Sequence, residues 1–245
     1  MLIVDEIIEK LKDILSADGK NGKVFDKDVA NSLDLSQANF ATMKNRGKIP
    51  FSNIPNSSSG WSDAVSNVPM VLYEFYGDKK ILEEPYDIVK RFVDFNLNRA
   101  KKRNWNHLFK SGKYYDYILD TGFQWGEWLE TGSVMANEAF KAIFTPDEEV
   151  ATAWFYQTTK QLSEMAKILG AVEDYDKYGK IASEIKRSYQ IEFLKDGKVN
   201  SDRQCRYVRP VAMGLVDANE AKQIVKDLNE LCIKNNYKIG TGFLT

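Results

Sequence analysis

Histidine is almost missing from this 245-residue chain, in which His107 stands alone. A His-rich metal site is thereby excluded, and a Ser-His-Asp triad would have a single base to draw on, which argues against one. Cysteine is nearly as sparse. Cys205 and Cys232 are too few and too far apart in sequence for a metal knuckle or a redox pair, so reduced thiols are expected and no metal or other cofactor is implied. No apolar run approaches the ~20 residues that cross a bilayer. The first ten residues, MLIVDEIIEK, carry Asp5 and Glu6 where a signal peptide has a basic stretch, so a cytoplasmic protein without a membrane partner is expected. Charge of one sign is also lacking: Lys and Arg total 34 against 35 Asp and Glu, a net charge of −1, and any affinity for nucleic acid must be local.

What is present describes a globular chain, 43% hydrophobic and 12% aromatic, long enough for one large domain or for a medium and a small one. Ile3, Val4, Ile7, Ile8, Leu11, Ile14 and Leu15 recur at helical steps, and Gly19 and Gly22 end that helix. A short helix is expected over 25–33 with Asp26 as its cap, and another from the Ser36 cap to about Arg46. Two short helices joined by a tight turn predict a helix-turn-helix over 1–54, with Leu33, Leu35, Phe40 and Met43 in its core. Ser36, Gln37, Asn39, Thr42, Lys44 and Asn45 would then face outward, with side chains suited to base edges and phosphates of operator DNA. A purely structural three-helix unit satisfies the same periodicity.

Residues 55–60, with the Ser57-Ser58-Ser59-Gly60 run, read as a linker. Beyond it, over 61–245, helices are expected at Trp61 to Tyr76, with Val65, Val68, Leu72 and Phe75 inward, and from Lys80 to about Asn98. Further helices follow at Val134 to Phe144, Glu148 to Leu169, Asp174 to Leu194, Tyr207 to Leu215 and Ala218 to Asn235. Short turns between such helices give helical hairpins, and no stretch alternates long enough for a sheet. The fold class is therefore all-α.

Two loops carry the chemistry. Thr121 to Gly132, TGFQWGEWLETG, places Trp125, Glu127 and Trp128 among three glycines, and Gly60-Trp61-Ser62-Asp63 repeats the pairing of indole and carboxylate. Indoles that stack on a ring beside carboxylates that accept hydroxyl protons make a carbohydrate-site composition. A plugging indole and a helix-start acid would explain the same residues without a ligand. Were Asp63 and Glu127 the proton-transfer pair of an inverting glycosidase, they would need to stand about 6.5–9.5 Å apart.

The segment FDKDVANSLDLSQANFATMKNRGKIPFSNI resembles the DNA-binding domain of phage CI-type repressors, over about residues 2–54. From Gly60 onward, GWSDAVSNVPMVLYEFYGD, TGFQWGEWLETG, EVATAWFYQTTKQLSEMAKILG and KIGTGFLT together resemble the catalytic domain of bacterial α-L-rhamnosidases, glycoside hydrolase family 78. That resemblance implies a partial (α/α)6 six-hairpin barrel and a role in carbohydrate metabolism. It also implies a rhamnose pocket lined by Trp61, Asp63, Trp125, Glu127 and Trp128, with an L-rhamnose-containing glycoside as partner. The family's general acid precedes the GWxD helix and its general base follows the GTGFL segment, and neither block has a counterpart here. The catalytic residues are thus left unassigned, and weak binding with little hydrolysis is expected. The alternative is a DNA-binding regulator whose helical second domain senses a sugar. An accidental fusion of two fragments near residues 54–60 accounts for both resemblances stopping there.

Overall fold

The computed structural model describes Lys12 and residues 25–28, 37 and 41, then 58–102, 112–120, 124–127, 130, 147–242 and 244. The chain divides into two compact units, Met1–Asn56 and Ser57–Thr245. In the first, Lys12 pairs with Asp26 at 2.8 Å. Residues 26–28 are helical, and the Phe25 amide donates to the Asp28 carboxylate at 2.9 Å. Asp26 is therefore the first helical residue, one position inside the boundary where the cap was expected. Gln37 is helical and exposed. Ser36, Asn39, Thr42, Lys44 and Asn45 lie outside the described residues.

Among the described residues of the second unit the regular structure is helical, apart from one bridge between Lys195 and Lys198. Its helices are α1 (Ala64–Tyr76), α2 (Lys80–Glu83), α3 (Tyr86–Ala100), a 3-10 turn (Lys113–Tyr117), α4 (Glu148–Leu169), α5 (Val172–Phe193), α6 (Cys205–Ala212) and α7 (Ala218–Lys234). The helix expected from Lys80 to Asn98 is broken at Pro85, which cannot donate a backbone hydrogen bond and instead caps α3. The helix expected over 134–144 lies outside the described residues.

The hairpin of α4 and α5 is the central element. Asp147 caps α4 by accepting from the Val150 amide, and Gly170, at φ 80°, ends it in the left-handed conformation that glycine adopts without strain. The Asp196-Gly197 turn, with φ of 53° and 74°, reverses the chain after α5. Val89, Val93 and Leu97 recur every fourth residue along α3 and enter a core shared with Phe155, Leu162, Met165, Tyr178, Ile185 and Tyr189. Each such side chain adds about 1.5–3 kcal/mol on burial. Asp217 and Glu220 form a reciprocal capping box at the start of α7.

Helix α1 is turned differently from expectation. Ser66 is buried and Val65, Met70 and Tyr73 pack on the core, whereas Val68, Leu72 and Phe75 are exposed, Phe75 at 81%. The cause is polar. Ser66 donates to Gln161 at 2.8 Å and Gln161 donates to Asn67 at 2.5 Å, so hydrogen bonds to α4 set the rotation of a helix that is apolar nearly all round. No described helix is long and apolar enough to cross a membrane.

Candidate functional site

The Ser58–Asp63 loop and the Gln124–Glu127 loop, remote in sequence, are laced together. Gln124 Oε1 accepts from the Ser59 amide at 2.9 Å, the Trp125 amide donates to Ser58 Oγ at 2.8 Å, and Trp61 Nε1 donates to the Gly126 carbonyl at 3.2 Å. These bonds hold the part-exposed indoles of Trp61 and Trp125 on adjoining loops. Trp128 lies outside the described residues.

Asp63, at the start of α1, is fully buried. One carboxylate oxygen accepts from the Gly60 amide at 2.6 Å and the other takes a very short hydrogen bond from the Thr158 hydroxyl of α4. Burial pushes its pKa up to about 7, although the bonds from Thr158 and Gly60 favour the ionised form. Glu127 is also sealed. Its Oε2 takes the Arg209 guanidinium at 2.5 Å and its Oε1 takes the Leu244 amide at 2.7 Å. The expectation that Asp63 and Glu127 reach toward sugar hydroxyls thus meets a different arrangement, in which both carboxylates brace the loops that carry the indoles. The reason is desolvation: a buried carboxylate needs internal donors, and nearby backbone amides and Arg209 supply them.

Arg209 anchors a chain of ions that residue spacing could have revealed. Arg203, Arg206 and Arg209 recur at every third position, and the last two lie on α6. Arg209 donates to Glu149 at 2.6 Å as well as to Glu127. Arg206 reaches Glu149 at 3.3 Å and Asp147 at 3.0 Å. Arg203 reaches Asp147 at 3.1 Å and holds Glu130 with two nitrogens. Desolvation works against ionisation of Asp147, but Arg206, Arg203 and Arg209 outweigh it and lower its pKa. Desolvation likewise opposes the charge on Arg209, while Glu149 and Glu127 hold its pKa well above the usual arginine value. Cys205 is a buried thiol pushed up to about 12, mainly by desolvation, and donates to Glu130 at 3.0 Å. Among the described residues, no cluster of His, Cys, Asp and Glu could hold a metal ion.

Four buried polar atoms near the laced loops have no hydrogen-bond partner: Ser59 Oγ, Gln124 Nε2, Trp154 Nε1 and Gln157 Oε1. Trp154 and Gln157 precede Thr158 on the same helix, and Trp154 lies against Gly60. Gly60 itself has φ 90°, and a Cβ there would come within 2.5 Å of Leu244 Cδ1 and 3.0 Å of Trp154 Cδ1. Gly60→Ala is therefore expected to lower stability by about 1–3 kcal/mol through backbone strain, and to alter tryptophan emission as Trp61 shifts. Unfolding followed by fluorescence and by circular dichroism checks both.

The match to the bacterial alpha-L-rhamnosidase 6 hairpin glycosidase domain covers residues 37–245. The chain belongs to this family. The described part of the match is accordingly an all-helical portion of a six-hairpin glycosidase domain. An alpha-L-rhamnosidase of Streptomyces avermitilis is 28% identical over 193 residues, which make up 78% of this chain and 16% of that protein. A solved alpha-L-rhamnosidase from Aspergillus terreus has a TM-score of 0.65 at 27% identity, covering 79% of this chain and 21% of that one. The solved structure of a Streptomyces avermitilis alpha-L-rhamnosidase complexed with L-rhamnose has a TM-score of 0.62 at 24% identity, covering 80% of this chain and 16% of that one. The chain spans 16–20% of the length of the curated rhamnosidases it matches. The family match starts at Gln37, inside the helix expected to read DNA, and runs through the expected 55–60 linker.

Of the residues expected at the site, Trp61, Asp63, Trp125 and Glu127 stand on the two laced loops. Arg209, Glu149 and Thr158, and the buried unpaired atoms Gln124 Nε2, Trp154 Nε1 and Gln157 Oε1, are not among the residues expected from the sequence. The arginine spacing and the acid pair Asp147 and Glu149 were available signals. Thr158 and Gln124 carry none, because an uncharged side chain in a helix or loop is marked only by the partner that folding brings to it.

Proposed function

We propose that this chain forms part of the sugar-gripping wall of an inverting α-L-rhamnosidase of glycoside hydrolase family 78, acting on terminal L-rhamnosides. The observation that carries the reading is the lacing of the Ser58–Asp63 loop to the Gln124–Glu127 loop, which brings Trp61 and Trp125 together. Family membership and the rhamnose bound in the Streptomyces avermitilis structure support it. In this reading Trp61, Trp125 and Trp128 offer ring faces to the sugar. Asp63 and Glu127 position them from within the loops.

Titrating L-rhamnose while following tryptophan emission tests the wall. A saturable change is expected at weak affinity, and none by roughly tens of millimolar would sink the proposal. Because Asp63 and Glu127 are sealed, the chain is expected to bind rhamnosides with negligible turnover of aryl rhamnosides. Rapid release of the aryl alcohol would show that one of these carboxylates opens.

The DNA-binding alternative draws on the separate compact unit Met1–Asn56 and on the exposed, helical Gln37. It requires salt-dependent binding to operator-like duplexes that Gln37→Ala weakens. A gel-shift titration that detects no binding at low salt removes it.

A further inference from the structure

Helix α1 turns its most apolar stripe away from the core. At about 3.6 residues per turn, Ala64, Val68, Val71, Leu72 and Phe75 share one face. All five are exposed, Val68 at 53% and Phe75 at 81%. The opposite face carries Ser66, which is buried and hydrogen-bonded to Gln161 of α4. The rotation is thus set by a polar contact, and the side chains with most to gain from leaving water are the ones left in it. Single exposed apolar residues are ordinary, but a contiguous stripe over about three turns marks an interaction surface.

The charges of this face fit a second copy of the same helix. Glu74 is the one charged residue of α1 and lies off the stripe, and the next charges, Asp78, Lys79 and Lys80, follow its C-terminal end. The exposed N-terminal position, Ala64, is small and neutral. Two stripes laid antiparallel about the midpoint between Val71 and Leu72 set Val68 of one copy against Phe75 of the other, a small side chain against a large one. Lys79 then meets Ala64, no like charges oppose each other, and the N-terminal end of each helix dipole lies beside the C-terminal end of the other. The area is also sufficient. With aromatic side chains offering about 150–250 Å² each, the exposed fractions of the stripe and of Tyr76 at its edge leave roughly 500 Å² per copy. Two copies would bury roughly 1,000 Å², the lower limit for a specific interface.

We propose that the outer face of α1 is a homodimer interface, in which two copies of this chain pair antiparallel through Val68, Val71, Leu72 and Phe75. The contact is isologous, each copy giving the same patch. At this size the dimer forms in the micromolar range, and the stability of the chain rises with its concentration. The pairing holds whether or not the tryptophan loops take a sugar.

Sedimentation velocity on the full chain from roughly 1 to 200 µM tests it, with monomer expected at the lowest concentration and dimer at the highest. Leu72→Glu, and independently Phe75→Glu, put a carboxylate into the apolar contact and should weaken association by about a hundredfold. Both positions are exposed, so circular dichroism of the dilute variants should match that of the native chain. Positions 68 and 75 are about 10 Å apart along one helix, too far to bridge within a copy. Mild oxidation of the Val68→Cys, Phe75→Cys double variant should therefore yield covalent dimers well above those of either single variant or the native chain. A native chain that stays monomeric at the highest concentration overturns the proposal, as does association that the folded Leu72→Glu and Phe75→Glu variants retain at native strength. Cross-linking of the single variants as efficient as that of the double one overturns the antiparallel pairing and the proposal with it.

Discussion

Arg209→Met is expected to lower the stability of the Ser57–Thr245 unit by about 3–5 kcal/mol, the range seen when one partner of a buried ion pair is removed. The side chain is 1% exposed and its guanidinium is shared between two sealed carboxylates, Glu127 at 2.5 Å and Glu149 at 2.6 Å. Without it, Glu127 keeps the Leu244 amide, and Glu149 keeps Tyr189 and the longer contact to Arg206. Neither set of partners neutralises a buried charge as fully. Against a total stability of about 5–15 kcal/mol the loss is a large fraction, so the urea midpoint should fall steeply. Arg209→Lys should fall between the native chain and Arg209→Met, since an ammonium keeps the charge but lacks the planar fork that reaches both partners. Adding Glu127→Gln and Glu149→Gln to Arg209→Met should recover much of the loss, because no buried charge then remains unpaired. An Arg209→Met midpoint equal to that of the native chain would show that the ion chain is solvated in solution.

The second large effect is a pH dependence centred on Asp63. Its pKa rises from 3.8 to about 7 on folding, so between those values the folded chain holds a proton that the unfolded chain has lost. Stability from this group is complete below about pH 4 and declines as pH rises, until it is gone above about pH 7. At 1.36 kcal/mol per pKa unit the decline totals on the order of 4 kcal/mol. Asp63→Asn removes the ionisation while keeping a carbonyl for the Gly60 amide and an amide to face the Thr158 hydroxyl. The difference in stability between the two proteins isolates Asp63, because the other titrating groups contribute to both. It should move steadily in favour of Asp63→Asn from pH 4 to pH 7 and level off above. Parallel profiles across that window would mean that water reaches Asp63 and that its pKa is ordinary.

These two residues show how a site can be legible while its roles are not. Asp63 and Glu127 stand out because each sits beside tryptophan in a glycine-containing loop. Sequence alone cannot distinguish a carboxylate that reaches into solvent from one that accepts internal donors. The donors decide that, and they are distant: Thr158 is 95 residues from Asp63, and Arg209 is 82 residues from Glu127. Helix α1 makes the same point for packing. Its apolar residues can be grouped into more than one stripe, and the inward stripe is selected by Ser66 and Asn67 hydrogen bonding to Gln161.

Local chemistry is what the amino-acid order determined by itself. Gly170 had to end α4, Asp196-Gly197 had to turn the chain, and the two tryptophan loops carried the family pattern. Those outcomes depend on backbone sterics and short-range hydrogen bonds, which act over a few residues. Only the tertiary structure decided that the carboxylates brace the wall and that three arginines spaced by threes join four acids. Charge pairing and burial depend on distances through space, and residues some 80 to 120 positions apart are set at hydrogen-bonding distance only when the helices pack.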